Sequence, residues 1–177
     1  MKTISVVTHC YNEQDNVRPL HERTRAVLES LGAGYRWEHI FIDNASTDRT
    51  VEVLKELAAK EKRVKVIVNA RNFGVIRSPL HALFQAKGDA IVSICADLQD
   101  PPELIPDFVR EWENGHLIVA AVKKGSRESP VMYAIRKLYY RILNRISETQ
   151  LINDFTGFGL YDRRVIDLVR DTGDHDV

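Results

Sequence analysis

The segment A-I-V-S-I-C-A-D-L-Q-D-P-P-E-L, residues 90–104, sets the pattern on which the rest of the chain is built. Its first six residues, Ala90 to Cys95, form an apolar, β-branched run that predicts a buried strand. Pro101 and Pro102 cannot continue a central strand, and a proline suits the first turn of a helix. The segment therefore predicts a strand, a short polar loop and a helix that begins near Pro102.

The loop between strand and helix carries three side chains with hard oxygen donors: Asp97, Gln99 and Asp100. In open α/β sheets, ligands bind at the carboxyl ends of the strands, which is where this loop lies. A few oxygen ligands on a short loop suit Mg²⁺ or Mn²⁺, with the phosphates of a substrate completing the coordination. The alternative is an acidic turn that only caps the next helix, since short acidic turns are common.

Strand and helix patterns alternate along most of the chain. The predicted strands are Ile4–Thr8, Trp37–Ile42, Val64–Val68, Ala90–Cys95 and Leu117–Val122. Helices are predicted after Asp15 or Asn16, after Asp48, after Gly74 with an early interruption at Pro79, from Pro102 to Asn114, and from Arg163 to Arg170. This order predicts an α/β fold with a doubly wound, mostly parallel central sheet and helices on both faces.

The composition predicts one soluble domain. The 177 residues suffice for one core, and the 25 basic and 25 acidic residues balance, so no overall field favours nucleic acid as a partner. Cys10 and Cys95 lie in or at the end of predicted strands, which favours buried thiols over a disulfide or a zinc site. Met1 and Lys2 lead directly into a strand, and no apolar run approaches the roughly 20 residues that span a bilayer. We expect a cytoplasmic protein that at most associates with a membrane.

Acidic residues follow three of the predicted strands: Glu13, Asp43, and Asp97 with Asp100. In a parallel sheet these strand ends share one edge, so the three loops should lie together. The chain has neither a G-x-G-x-x-G turn nor a Walker phosphate loop, so phosphates would be held by a metal and by basic side chains such as Arg71. Each residue also has a purely structural alternative: Asp43 as a turn cap, Tyr11 as packing and Arg71 as a surface charge.

The alternation of strand and helix patterns ends at Lys123. Residues 123–130 are charged and turn-rich, which predicts a loop, and Val131 to Ile146 predict a helix with one apolar face. Basic and tyrosine side chains on that helix are typical of an interfacial helix on a membrane surface. The alternative is a helix packed on the sheet with a solvated basic face. An apolar, glycine-rich block with Asp154 at its head follows.

Five motifs together resemble glycosyltransferase family 2, and more narrowly its polyprenyl-phosphate glycosyltransferase and dolichol-phosphate mannose synthase branch. They are V-V-T-H-C-Y-N-E (6–13), I-D-N-A-S-T-D-R-T (42–50), R-N-F-G (71–74), A-D-L-Q-D-P-P-E (96–103) and D-F-T-G-F-G-L-Y-D-R (154–163). The resemblance implies a GT-A (Rossmann-like) fold, a UDP- or GDP-sugar donor, Mg²⁺ or Mn²⁺ and inversion at the anomeric carbon. It also implies a polyprenyl-phosphate or glycan acceptor in cell-envelope glycan synthesis at the inner face of the cell membrane.

The resemblance assigns roles to individual positions. Thr8, Tyr11 and Glu13 would line the nucleoside pocket, and Asp43 would hold the base or ribose. Asp97 and Gln99 would face the metal and the diphosphate, with Arg71 near the donor. Asp154 matches the acid beside the acceptor, and the helix over residues 131–147 would contact the membrane surface beside a lipid acceptor.

Three departures from the family pattern motivate rival hypotheses. Cys95 stands where the family has an acid, and a neutral thiol is a poor Mg²⁺ ligand. His9 stands where a proline is common, and the chain stops at Val177, before the C-terminal part and transmembrane helices of relatives. We therefore expect residues 1–177 to be a single catalytic domain lacking that part, whose exposed apolar surface would favour a homo-oligomer. The alternatives are a truncated, inactive nucleotide-binding or interaction protein and, less favoured, a nucleotidyltransferase.

Overall fold

The computed structural model describes residues 1–122 and 155–173. In chain order, the strands are β1 (Lys2–Cys10), β2 (Tyr35–Asp43), β3 (Val64–Val68), β4 (Ala90–Cys95), β5 (Ile118–Val122) and β6 (Phe155–Asp162). The helices are α1 (Val17–Ser30), α2 (Thr50–Lys60), α3 (Gly74–Gln85), α4 (Ile105–Glu113) and α5 (Arg163–Asp171), with a short 3₁₀ helix at Pro102–Leu104. Predictions for residues 123–154, including Asp154 and the basic helix, lie outside the described residues.

The six strands form one sheet in the order β3-β2-β1-β4-β6-β5. β1 pairs in parallel with β2 and β4, and β2 pairs in parallel with β3. β6 pairs antiparallel to β4, with Ala90 opposite Asp162 and Ser93 opposite Gly159. The mostly parallel α/β sheet predicted from the sequence is confirmed, whereas β6 was not predicted.

Burial along β1 shows that both faces of the sheet are covered. Ile4 to Thr8 are all completely buried, and successive side chains of a strand point to opposite faces. On one face, Ile40 and Ile42 of β2 join a core that includes Ala82 of α3 and Ile166 of α5. On the other face, His39 and Phe41 of β2 meet His21 of α1, whose ring centroid lies 5.2 Å from that of His39.

Several helix starts differ slightly from the prediction. Asp48 is not the cap residue of α2, which begins at Thr50, but its Oδ1 still accepts a hydrogen bond from the Thr50 backbone N–H at 2.9 Å. Asn16 precedes α1 without capping its backbone; its side chain instead donates to Glu13 Oε2 at 2.6 Å. The helix predicted to run from Pro102 begins as the 3₁₀ turn and becomes α-helical at Ile105.

Contacts divide the chain into two units, Met1–Val119 with Phe158–Val177, and Ala120–Gly157. All the site residues described below belong to the first unit, and the single-domain expectation stays a prediction. Both cysteines are free thiols, as predicted; Cys10 is buried, whereas Cys95, which was also predicted to be buried, is half-buried. Within residues 1–122 and 155–173, no helix is long and apolar enough to cross a membrane.

Candidate active site

The carboxylate-bearing loops lie together at one edge of the sheet, as expected. In the parallel register, Cys10 at the end of β1 pairs with Asp43 at the end of β2, and His9 pairs with Cys95 at the end of β4. Asp43 at the end of β2 and the loops that carry Glu13 and Asp97 therefore lie at three adjacent strand ends. Ligands of open α/β sheets bind outside such carboxyl ends.

Each of these three loops contains one residue in the left-handed backbone region. They are Asn12 (φ 58°), Ala45 (φ 63°) and Leu98 (φ 59°), following β1, β2 and β4 respectively. A side chain in this region costs free energy, and such residues collect at ligand sites where the surrounding structure fixes them. No other non-glycine residue in the described ranges has a positive φ. The three residues with positive φ thus lie at the same edge of the sheet as Glu13, Asp43 and Asp97.

Hydrogen bonds join the loops after β1 and β2. The Asn12 backbone N–H donates to Ser46 Oγ at 2.8 Å, and Thr47 N–H donates back to Asn12 Oδ1 at 2.8 Å. The Glu13 N–H donates to Thr50 Oγ1 at 2.8 Å. The polar residues of the I-D-N-A-S-T-D-R-T block therefore brace the loop that holds Glu13 in place.

A cavity of about 190 Å³ opens at this edge. Its lining comes from all three strand ends and from the start of α3: His9, Cys10, Tyr11, Glu13, Asn44, Gly74, Val75, Ser78, Pro79 and Cys95. Of the residues predicted to line a nucleoside pocket, Tyr11 and Glu13 line this cavity. Tyr11 is 48% exposed, so part of its ring is available to a ligand.

Asp43 is 0% exposed, and only one of its carboxylate oxygens is engaged. Oδ2 accepts a hydrogen bond from the Ser46 backbone N–H at 2.9 Å, whereas Oδ1 finds no partner among the described residues. A buried acceptor without a partner costs about 1–3 kcal/mol, so native proteins rarely keep one without a reason. Asp43 does not line the cavity, but its chain neighbour Asn44 and its strand partner Cys10 do.

Thr8 is completely buried below the cavity and does not line it. Its Oγ1 lies 2.9 Å from His39 Nε2, and His39 Nδ1 lies 3.1 Å from His21 Nδ1. Burial, assisted by the neighbouring His21, holds the pKa of His39 well below its ordinary value, and burial also lowers the pKa of His21. Thr8 is therefore part of a buried polar chain with His39 and His21, and its predicted contact with a nucleoside stays a prediction.

The loop after β4 offers oxygen donors. Asp97 is half-buried and its Oδ1 accepts from the Gln99 backbone N–H at 3.0 Å, while the Gln99 side chain is exposed. Burial raises the pKa of the Cys95 thiol, so a neutral thiol stands at the position of the family's acid. In the part of the chain that the structure describes, no three His, Cys, Asp or Glu side chains are arranged to hold a metal ion. Asp97 and Gln99 fit a hard cation that takes its remaining ligands from a substrate.

His9 is a site residue that the sequence analysis underrated. It lines the cavity, and its buried Nδ1 has no hydrogen-bond partner among residues 1–122 and 155–173. Burial lowers the pKa of His9, against the opposing charges of Asp97 and Asp100. A neutral imidazole with a free ring nitrogen can bond a ligand. Its position before the Y-N-E turn was visible in the sequence, but its orientation was not.

Asn44 was also missed, although it lies inside the I-D-N-A block. Its Nδ2 donates to Gly74 O at 3.1 Å and to Asn72 Oδ1 at 3.0 Å. Its Oδ1 accepts from the Phe73 backbone N–H at 2.9 Å. Asn44 thereby fastens the R-N-F-G loop to the end of β2. Arg71 of that loop does not line the cavity; it is exposed, with its guanidinium 4.6 Å from the centre of the Phe73 ring.

Comparisons with known proteins bear on this geometry. The model of the family Glycosyl transferase family 2 matches residues 5–169. An uncharacterized glycosyltransferase, YkcC of Bacillus subtilis, is 35% identical over 164 residues, which cover 92% of this chain and 50% of that protein. The undecaprenyl-phosphate 4-deoxy-4-formamido-L-arabinose transferase of Pectobacterium carotovorum is 35% identical over 81% of this chain and 42% of its own length. The chain thus spans about half the length of these curated relatives.

Two solved structures have the same fold at low sequence identity. A mannosyltransferase of Pyrobaculum calidifontis, in complex with GDP-Man and Mn²⁺, gives a TM-score of 0.63 at 17% identity over 94% of this chain and 46% of its own. Glucosyl-3-phosphoglycerate synthase of Mycobacterium tuberculosis, with Mn²⁺, UDP and phosphoglyceric acid, gives 0.62 at 22% identity over 99% of this chain and 65% of its own. The fold of the chain is therefore that of GT-A glycosyltransferases.

Proposed function

Because the chain belongs to glycosyltransferase family 2, we propose that it transfers a sugar from a UDP- or GDP-sugar to a polyprenyl phosphate, with inversion at the anomeric carbon. The observation that carries the proposal is the cavity at the carboxyl ends of β1, β2 and β4, which is lined by Asn44 and Cys10, the chain neighbour and strand partner of Asp43, whose buried Oδ1 has no partner among the described residues. A nucleoside supplies ring N–H and ribose hydroxyl donors, which are the groups that Asp43 Oδ1 lacks.

The donor's nucleoside occupies the Tyr11 and Glu13 side of the cavity, and its diphosphate extends toward Asp97. Mg²⁺ or Mn²⁺, when bound, neutralises charge on the departing nucleoside diphosphate. Asp97 and Gln99 would hold that ion with one charged and one neutral oxygen. Relatives support this reading in part, since the Pyrobaculum and Mycobacterium structures both contain Mn²⁺.

The acceptor is the less constrained half of the proposal. Its support is the name of the Pectobacterium relative, which transfers a sugar to undecaprenyl phosphate. A phosphate acceptor is already ionised at neutral pH, so it needs positioning on the face of the sugar opposite the leaving group more than deprotonation. We assign that positioning to Asp154, and place the reaction at the inner face of the cell membrane. Replacing Asp154 with Asn should slow transfer and leave donor affinity nearly intact.

The test is calorimetric titration of UDP, GDP and their sugars, each with and without Mn²⁺. We expect one nucleotide to bind with metal dependence, and at a hundred times its Kd to add about 2.7 kcal/mol to the free energy of unfolding. For a domain of this size that corresponds to a midpoint shift of roughly 5–11 °C. Asp97→Asn should remove the metal dependence. A folded sample that binds none of the nucleotides contradicts the proposal.

Cys95 supports one rival function, nucleotide binding without turnover. The neutral thiol removes one half of an acidic pair at the metal position. The variant Cys95→Asp distinguishes sugar transfer from nucleotide binding without turnover. If Cys95 weakens metal binding in the wild type, the variant should bind the nucleotide about tenfold more tightly in the presence of Mn²⁺ and no more tightly in its absence. Metal-dependent binding and sugar transfer by the wild-type chain would exclude this rival.

A further inference from the structure

Asn44, the first residue after β2, uses every hydrogen-bonding group of its side chain on the protein. Its Nδ2 donates to Asn72 Oδ1 at 3.0 Å and to Gly74 O at 3.1 Å. Its Oδ1 accepts from the Phe73 backbone N–H at 2.9 Å and from Asn69 Nδ2 at 3.1 Å. An amide side chain offers two donor hydrogens and two acceptor lone pairs, so all four are engaged. The Asn44 side chain therefore has no group left over for a ligand.

The backbone of Asn44 is bonded to the opposite side of the candidate-site cavity. Its N–H donates to Cys10 O, at the end of β1, at 2.9 Å. Cys10, Asn44 and Gly74 all line the cavity of about 190 Å³, and Asn44 itself is only 8% exposed. Asn44 therefore links the ends of the strands to the start of α3, the two parts of the fold between which the cavity opens.

The start of α3 depends on these hydrogen bonds because its side chains are in solvent. Residues 71–77, which form the R-N-F-G loop and the first turn of α3, are all exposed, and Ser78 is the first buried residue of the helix. Asn69 Nδ2 also donates to Ser78 Oγ at 2.9 Å, and the Gly74 N–H donates to Asn72 Oδ1 at 2.8 Å. A segment with exposed side chains gains little from apolar burial, so polar contacts decide its position. The network centred on Asn44 supplies those contacts.

From these contacts we infer that Asn44 is a positioning residue for the donor nucleotide. It holds Gly74 and Val75, which line the cavity, in the arrangement that binds the nucleotide, while its own side chain bonds only the protein. The inference deepens the proposed function, on whose nucleotide donor it rests. The apparent affinity for a ligand falls by the fraction of molecules that hold the binding arrangement. If the released turn keeps that arrangement in about one-tenth of the molecules, the Kd for the nucleotide rises about tenfold.

The experiment measures the nucleotide Kd by calorimetric titration and the thermal unfolding midpoint on the same samples. Asn44→Asp replaces the Nδ2 donors with a charged acceptor that faces Gly74 O and Asn72 Oδ1, so it should raise the Kd about tenfold. Asn72→Ala removes one acceptor of Nδ2 at an exposed position, and should raise the Kd about threefold with little change in the midpoint. The double variant should lose about tenfold rather than about thirtyfold in affinity, because both substitutions release the same contact.

Asp162→Asn is the matched control, because Asp162 is also a buried side chain bonded to the protein, at 2.7 Å from Trp112 Nε1, and does not line the cavity. It should lower the unfolding midpoint and leave the nucleotide Kd within about twofold of the wild type. A lower midpoint for Asn44→Asp with an unchanged Kd, or equal losses of affinity in Asn44→Asp and Asp162→Asn, would overturn the inference alone. If Asn44→Asp does not fold, Asn72→Ala decides, and an unchanged Kd overturns the inference. A folded wild-type chain that binds no nucleotide overturns the proposed function and the inference with it.

Discussion

Replacing Asp43 with Asn changes one atom of the buried carboxylate that carries the proposed function. The Asn oxygen can still accept the hydrogen bond from Ser46 N–H, which is 2.9 Å long in the wild type. At the position of Oδ1 the variant presents an amide N–H₂ instead of a charged acceptor. A nucleoside donor group that bonds Oδ1 would then face another donor.

The size of the effect follows from the burial of Asp43, which is complete. A hydrogen bond to a charged acceptor contributes about 1.5–3 kcal/mol, and each 1.4 kcal/mol is tenfold in affinity. We therefore expect Asp43→Asn to raise the Kd for the nucleotide by roughly 10- to 150-fold. The free protein should be little affected, because Oδ1 has no bond within the described residues to lose. Its unfolding midpoint should stay within about 3 °C of the wild type.

Asp48→Asn is the matched control in the same loop. Both oxygens of Asp48 are engaged by the protein: Oδ1 by Thr50 N–H at 2.9 Å and Oδ2 by Gln14 N–H at 3.2 Å. Its replacement should cost about 1–2 kcal/mol of stability and leave the nucleotide Kd within about twofold. Calorimetric titration and thermal unfolding of the two variants measure both quantities. If Asp43→Asn binds nucleotide as the wild type does, or if both variants lose affinity equally, the assignment of Asp43 is wrong.

Three further predictions concern stability. Burial lowers the pKa of His39, so as the pH falls His39 binds a proton in the unfolded chain before it does so in the folded chain. The free energy of unfolding that neutral His39 provides is therefore complete above about pH 6.5 and decreases below it, by at most about 1.4 kcal/mol per pH unit. His39→Gln should flatten the dependence of the urea-unfolding free energy on pH. Gly88→Ala would place Cβ 2.6 Å from Ser5 Oγ and 2.7 Å from Ser5 N, so it should lower the urea midpoint by the equivalent of about 1–3 kcal/mol; an unchanged midpoint contradicts that packing. Asp162 accepts from Trp112 Nε1 at 2.7 Å and caps α5, so Asp162→Asn should lower thermal stability by about 1–3 kcal/mol without changing nucleotide affinity.

Most of the sheet could be predicted from the sequence because β1, β3, β4 and β5 contain apolar runs rich in β-branched residues, and β2 contains the apolar segment Ile40–Ile42. β6 could not, since F-T-G-F-G-L-Y-D contains two glycines and no regular alternation. Its strand conformation depends on antiparallel pairing with β4 and on the burial of Phe158 and Leu160, both tertiary effects. The sequence pattern alone therefore predicted no strand where packing imposes one.

The candidate site was predictable to the extent that strand ends define it. Glu13 and Asp43 follow strands whose parallel register brings them to one edge, and the sequence alone indicates that edge. The partners of Thr8 were not predictable, because His39 is 31 residues away in the chain. The outward position of Arg71 and the bonds of Asn44 likewise depend on the folded R-N-F-G loop.

A crystal structure of the chain soaked with the nucleotide it binds and with Mn²⁺ tests the central claim most directly. We predict a base or ribose group within hydrogen-bond distance of Asp43 Oδ1, with an anomalous manganese peak beside Asp97 and the diphosphate between them. A nucleotide bound away from the ends of β1, β2 and β4, with Asp43 Oδ1 still lacking a partner, would contradict the account.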